Sequence, residues 1–148
     1  MSVNTDCYQP AEKQYKNTKA CLKVVYMYRH PLGIIIKNAL ILRDLEILKQ
    51  PAYHNLVGVN VSVTSLSEET RRILEPSTVS IKKRLETIKI LSENNIPINA
   101  MLAPIIPGQI SHKILGLAKA VRNNGALSFR FTIVRLNGAW STIYRLDG

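Results

Sequence analysis

Leu56-Val-Gly-Val-Asn-Val-Ser-Val-Thr64 alternates aliphatic with small or polar residues along its length. Successive side chains of a strand point to opposite faces, so Val59, Val61 and Val63 share one side, and Asn60, Ser62 and Thr64 share the other. A strand of this kind packs helices on one face and turns the other toward a ligand or solvent. A doubly wound sheet has helices on both faces and reads instead as continuous apolar runs. This one segment therefore favours a β/α barrel wall.

The same grammar repeats on both sides of it. Upstream, Gly33-Ile-Ile-Ile-Lys37 is a short apolar strand ending in a charge. Glu12 to Tyr28 is expected to be one helix, with Tyr15, Cys21, Leu22, Val25 and Tyr28 at near-helical spacing. Leu42 to Lys49 is a second helix through Leu42, Leu45 and Leu48, with Pro51 punctuating its end. Downstream, Ser65-x-x-Glu68 reads as a capping box that opens a short helix. Ser80 caps a longer one with an Ile81, Leu85, Ile88 and Leu91 stripe. Pro97 to Ile106 is the next strand, closed by Pro107-Gly108, and Ser111 opens a helix that Asn123-Asn124-Gly125 ends. Leu127 to Leu136 is the last strand, alternating Phe129, Phe131 and Ile133 against Ser128, Arg130 and Thr132. Strands joined by helices pair in parallel. The expected class is α/β: a partial (β/α) barrel of parallel strands with outer helices, one domain over residues 1–148.

The 148 residues include no run of eighteen apolar residues, so no membrane span is expected. Met1 to Asp6 lacks a basic stretch followed by an apolar one, which makes the cytoplasm the expected address. The formal charge of +10 is spread over both halves. It fits a polyanionic partner such as DNA or other nucleic acid, and equally lysines and arginines that solvate helix faces. Cys7 and Cys21, with thirteen residues between them, match neither a disulfide framework nor a metal spacing, and Cys21 is expected to pack in a helix core. His30, His54 and His112 are scattered, so the residues themselves indicate no metal site. There is no GxGxxG, P-loop or nucleophile elbow.

In barrels of this kind reactive groups sit at the C-terminal ends of the strands. Lys37 stands at such an end and is suited to a carboxylate or phosphate, or simply to solvent. Ser62 lies on the inward face and is a donor to a ligand or plain filler. Glu75 and Arg84 are placed to brace the rim as an ion pair. Ala103-Pro-Ile-Ile-Pro-Gly108 offers an apolar backbone edge for a planar base, or a strand terminator.

Taken in order, these segments carry a resemblance. Thr5-Asp-Cys-Tyr-Gln-Pro10 resembles the Thr-Asp-x-Tyr-Gln-Pro segment of radical S-adenosylmethionine proteins of the spore photoproduct lyase-like, DNA repair photolyase-type family. Gly33 to Asp44 is similar to their third-strand block, Val61-Ser-Val-Thr64 to their fourth. Leu74-Glu-Pro76 with Arg84 and Ala103 to Gly108 completes the pattern. The resemblance runs from about Thr5 to Leu136. It implies a partial barrel of the radical SAM type that binds S-adenosylmethionine and a 4Fe-4S cluster, generates a 5′-deoxyadenosyl radical, and acts as a lyase on DNA lesions. By position, Lys37 would hold the cofactor carboxylate, Ser62 its ribose or methionyl end, and the backbone around Ile105 and Ile106 the adenine.

The departures are as informative. The family's Cys-x3-Cys-x2-Cys precedes the Thr-Asp-x-Tyr-Gln-Pro segment, and this chain has no such motif, so the cluster ligands are absent from it. Ile36 stands where threonine is usual, and Arg130 where a small or apolar residue is. The expectation is a core domain without its first strand and cluster loop, inactive alone. The alternatives are a non-catalytic remnant and a basic nucleic-acid-binding module.

Overall fold

The structure, a computed structural model, describes residues 6–105 and 113–133. Thr5, Ile106, Pro107-Gly108, Ser111, His112 and the expected strand residues beyond Ile133 lie outside them. In order, the elements are α1 (Glu12–Tyr15), α2 (Asn17–Met27), β1 (Leu32–Ile36), a 3-10 helix (Ala39–Asp44), α3 (Leu45–Tyr53), β2 (Val57–Ser62), α4 (Glu68–Leu74), α5 (Ile81–Glu93), β3 (Ile98–Ile105), α6 (Ile114–Asn123) and β4 (Ser128–Ile133).

The four strands form one sheet in the order β1-β2-β3-β4, with every pair parallel. A sequential order places each crossover on the same side and adds each strand at the same edge, as in a barrel wall. Ile34 pairs with Val59, Ile36 with Val61, Val59 with Ile98 and Val61 with Ala100. All of these are buried, together with Ile41, Leu48, Ile88, Leu91, Leu117 and Val121 from the helices. The opposite face bears Asn60, Ser62, Asn99 and Met101, in register with one another. This is the α/β, partial-barrel architecture expected from the alternation in β2.

Four local expectations are corrected. The first helix is two, because Lys16 takes a left-handed conformation between α1 and α2. Only Thr18 and Leu22 of α2 are fully buried, and Cys21 is exposed rather than packed. Pro51 lies inside α3, in its last turn, so the helix runs on to Tyr53. The cap of α4 is Ser67, whose hydroxyl accepts from the Thr70 N–H at 3.3 Å; Ser65 instead accepts from the Ser67 N–H at 3.0 Å. Ser80 caps α5 as its sequence indicates, accepting from the Lys83 N–H at 3.2 Å. Among the described residues no helix is long and apolar enough to cross a membrane.

Candidate functional site

The C-terminal end of β1 is held by Asp6. One Asp6 oxygen accepts from the backbone N–H of Lys37 at 2.7 Å and the side-chain amide of Asn38 at 3.2 Å; the other accepts from the Tyr8 N–H at 2.8 Å. Those bonds fasten the segment before α1 onto the rim. Tyr8 is buried, and its hydroxyl donates to Asp44 at 3.2 Å. Burial, then the Asp44 carboxylate, push this phenol far above its ordinary range, so it remains a donor. Arg43 grips Asp44 at 2.7 Å and Glu12 at 2.8 Å. Glu12 also accepts the N–H groups of Thr18 and Lys19. Burial alone would raise the Glu12 carboxyl, but Arg43 and these amides hold it below the usual carboxylate range.

The side chain of Lys37 leads into a second network. Its ammonium lies 2.8 Å from one oxygen of Glu75, and Arg84 lies 2.7 Å from the other. Both contacts are ion pairs. Arg84, 1% exposed, also donates to the Ser62 carbonyl at 2.9 Å and to the Thr78 hydroxyl. Arg71 donates to the Thr78 carbonyl at 2.9 Å, and Thr78 donates to that of Glu75 at 2.7 Å, which fixes the α4–α5 turn. Burial pushes the Glu75 carboxyl up, while Lys37 and Arg84 more than reverse this and hold it below the ordinary range. Two cations and one carboxylate leave this cluster with one net positive charge. Lys37 retains 41% side-chain exposure, and an ammonium has three donors, so it can meet a second carboxylate without leaving Glu75.

Lys37 and Ser62 are thus joined by a continuous relay through Glu75 and Arg84. Ser62 is buried at the end of β2, on the face opposite Val59 and Val61. Ile105 is buried at the end of β3 and pairs with Ile133. Ile106 lies outside the described residues. The expected Glu75–Arg84 brace exists, and its extension to Lys37 was not legible in sequence, since the partners are 38 residues apart. Asp6 was also missed. Its signal was its place in the Thr5-Asp-Cys-Tyr-Gln-Pro10 segment, which carried the resemblance without indicating a partner.

The cysteines do not suit an iron–sulfur cluster. Cys7 sits 3.9 Å from the Ile35 carbonyl, and burial, then Asp6, push its thiol up to about 11, opposite to what a thiolate ligand needs. Cys21 is exposed on α2. Among the described residues no group of three or more His, Cys, Asp or Glu is arranged to hold a metal. The rim does fit the cofactor carboxylate: an accessible cation in a net-positive, braced cluster.

Comparison with known families settles the class. The model of the radical SAM superfamily matches residues 8–121. The chain belongs to the radical SAM superfamily. Membership implies S-adenosylmethionine and a 4Fe-4S cluster in general. The uncharacterized protein MJ0683 of Methanocaldococcus jannaschii is 33% identical over 124 residues, covering 83% of this chain and 46% of that protein. Rv2578c of Mycobacterium tuberculosis, also uncharacterized, is 28% identical over 134 residues, 87% of this chain and 39% of its own. ORF301 of Acidianus two-tailed virus is 28% identical over 107 residues, 72% of this chain and 34% of the viral protein. This radical SAM chain spans less than half the length of these relatives.

Proposed function

We propose that this chain supplies the S-adenosylmethionine-binding part of a radical enzyme related to spore photoproduct lyase, acting on nucleic acid. The observation that carries the reading is the relay Lys37–Glu75–Arg84–Ser62 at the C-terminal ends of β1 and β2. It presents one net positive charge where strand ends converge, suited to a methionyl carboxylate on Lys37. Ser62 then faces the ribose or methionyl end, and the backbone at Ile105 and Ile106 borders the adenine. The formal charge of +10 suits a DNA partner. The bound cofactor, reduced by a cluster, supplies a 5′-deoxyadenosyl radical in this superfamily. The cluster ligands are not among these 148 residues, so the chain's own part is binding and orientation.

Calorimetry with S-adenosylmethionine on the wild type and on Lys37→Ala tests the assignment. Loss of a charge-assisted bond costs about 1.5–3 kcal/mol, roughly tenfold or more in affinity. Unchanged affinity in the variant would refute the role of Lys37. The shortage of cysteines favours a second reading, a non-catalytic nucleoside- or nucleic-acid-binding unit. Calorimetry with S-adenosylmethionine separates the two, since the first reading expects Lys37-dependent binding and the second does not; both expect no stable four-iron cluster on anaerobic reconstitution with iron and sulfide.

A further inference from the structure

The far strand turns an arginine toward the ligand side of the sheet. Ser62 pairs with Met101, and Met101 with Arg130, so the three form one row across β2, β3 and β4 at the level where β2 ends. In the next row down, Asn60 pairs with Asn99 and Asn99 with Ser128. The Ser128 hydroxyl donates to the Asn99 side-chain oxygen at 2.6 Å, and the Asn60 amide donates to the Ile34 carbonyl at 3.3 Å. Phe129 and Phe131 lie on the other, helix-bearing side, in register with Ala100 and Leu102. Of the described strand residues on the ligand side, Arg130 alone is charged.

Its partners set it apart as well. Arg43, Arg71 and Arg84 each engage carboxylates. Arg130 makes no ion pair or hydrogen bond with any described residue. The other described arginines without such partners, Arg29, Arg72 and Arg122, are exposed off the sheet, in a turn or on helices. The polar floor of Asn60, Asn99 and Ser128 is therefore flanked by cations at both ends. Lys37 follows β1, and Arg130 lies three strand spacings away, about 14 Å.

We propose that Arg130 is the substrate's anion site: a phosphate group of a nucleotide substrate lies against its guanidinium while the cofactor carboxylate occupies Lys37. This rests on the nucleic-acid reading above. A guanidinium fork matches phosphate with two parallel donors. The neutral floor between the cations leaves room for a sugar and base without competing carboxylates. No described residue on this face neutralises Arg130.

The test uses the full chain and a labelled single-stranded oligothymidylate, with affinity followed against salt. Arg130→Gln should weaken binding about tenfold and reduce the slope of log K against log salt by about 0.7. Arg122→Gln, an equal charge loss on the exposed face of α6, should leave the slope unchanged. Equal effects of the two substitutions would reduce Arg130 to diffuse charge and overturn the proposal. The Arg130 Nε–Hε resonance, assigned by its loss in Arg130→Gln, supplies an independent readout. Inorganic phosphate should shift it at a lower concentration than acetate, which forms the same fork contact with a single charge. If phosphate shifts it while the oligonucleotide fails to bind, the anion site stands and the nucleic-acid reading falls. If phosphate leaves it unmoved, the site itself is refuted.

Discussion

The two edges of the sheet differ in how they treat charge and apolar surface. At the β1–β2 rim every described carboxylate is held: Asp6 by the Lys37 and Tyr8 amides, Glu75 by Lys37 and Arg84, Asp44 by Arg43. The strands beneath are buried beneath helices. At β4 every residue is exposed, and Phe129 and Phe131 remain 47% and 58% open. At the first edge, ligand-facing groups are tied into what holds the fold together. At the second, Ser128 bonds Asn99 on the exposed surface and Arg130 is tied to no described residue. Substitutions near Lys37 should therefore disturb stability and binding together, whereas substitutions at β4 should separate them.

The sharpest challenge to this contrast is Arg84→Ala. It leaves the buried Glu75 carboxylate with the half-exposed Lys37 alone and frees the Ser62 carbonyl, and removing one partner of a buried pair costs about 3–5 kcal/mol. Urea unfolding should show that loss. A change below about 1 kcal/mol would mean the rim is wetter than its burial indicates.

A matched pair sharpens it further. Leu102 and Phe131 are partners across β3 and β4, one buried and one exposed. Leu102→Ala should cost about 2–5 kcal/mol, while Phe131→Ala should stay within about 0.5 kcal/mol. Equal losses in thermal or urea melts would show that β4 is covered in solution.

The smallest effect is that of pH. Glu75 and Glu12 have folded-state affinities for protons lower than their unfolded ones, so both favour folding when ionised. Their contribution is complete above the ordinary glutamate range, about 4.5, and is lost as pH falls through their lower folded-state values. Unfolding midpoints between pH 7 and pH 3 should decline for wild type. Glu75→Gln should start lower and decline less. An identical slope in that variant would remove Glu75 from the acid response.

Much of the architecture was legible before any coordinates. The alternation in Leu56 to Thr64 distinguishes a one-sided sheet from a doubly wound one, because period 2 maps directly onto two faces. Ser80 and Gly125 mark their helix ends through local backbone chemistry. Gly125 has φ of 98°, and a Cβ there would stand 2.2 Å from the Ser92 hydroxyl oxygen. Weaker local signals misled: Cys21 fits a helical stripe yet is exposed, and Ser65 looks like a cap although Ser67 performs that role. Periodicity cannot choose which stripe finds a neighbour, and two serines near a helix start compete on geometry alone.

Sequence by itself determined the strand–helix order, the parallel class, the polarity of the two faces and the lack of a three-cysteine motif. All of these depend on residue type and short-range spacing. The tertiary structure alone decided that Asp6 clasps the Lys37 amide across 31 residues, and that Glu75 lies between Lys37 and Arg84. It also decided that Arg130 shares a row with Ser62. A charge's partner is set by where strands and loops converge in space. Composition supplies the charges, and only the register and the turns bring particular ones within reach of each other.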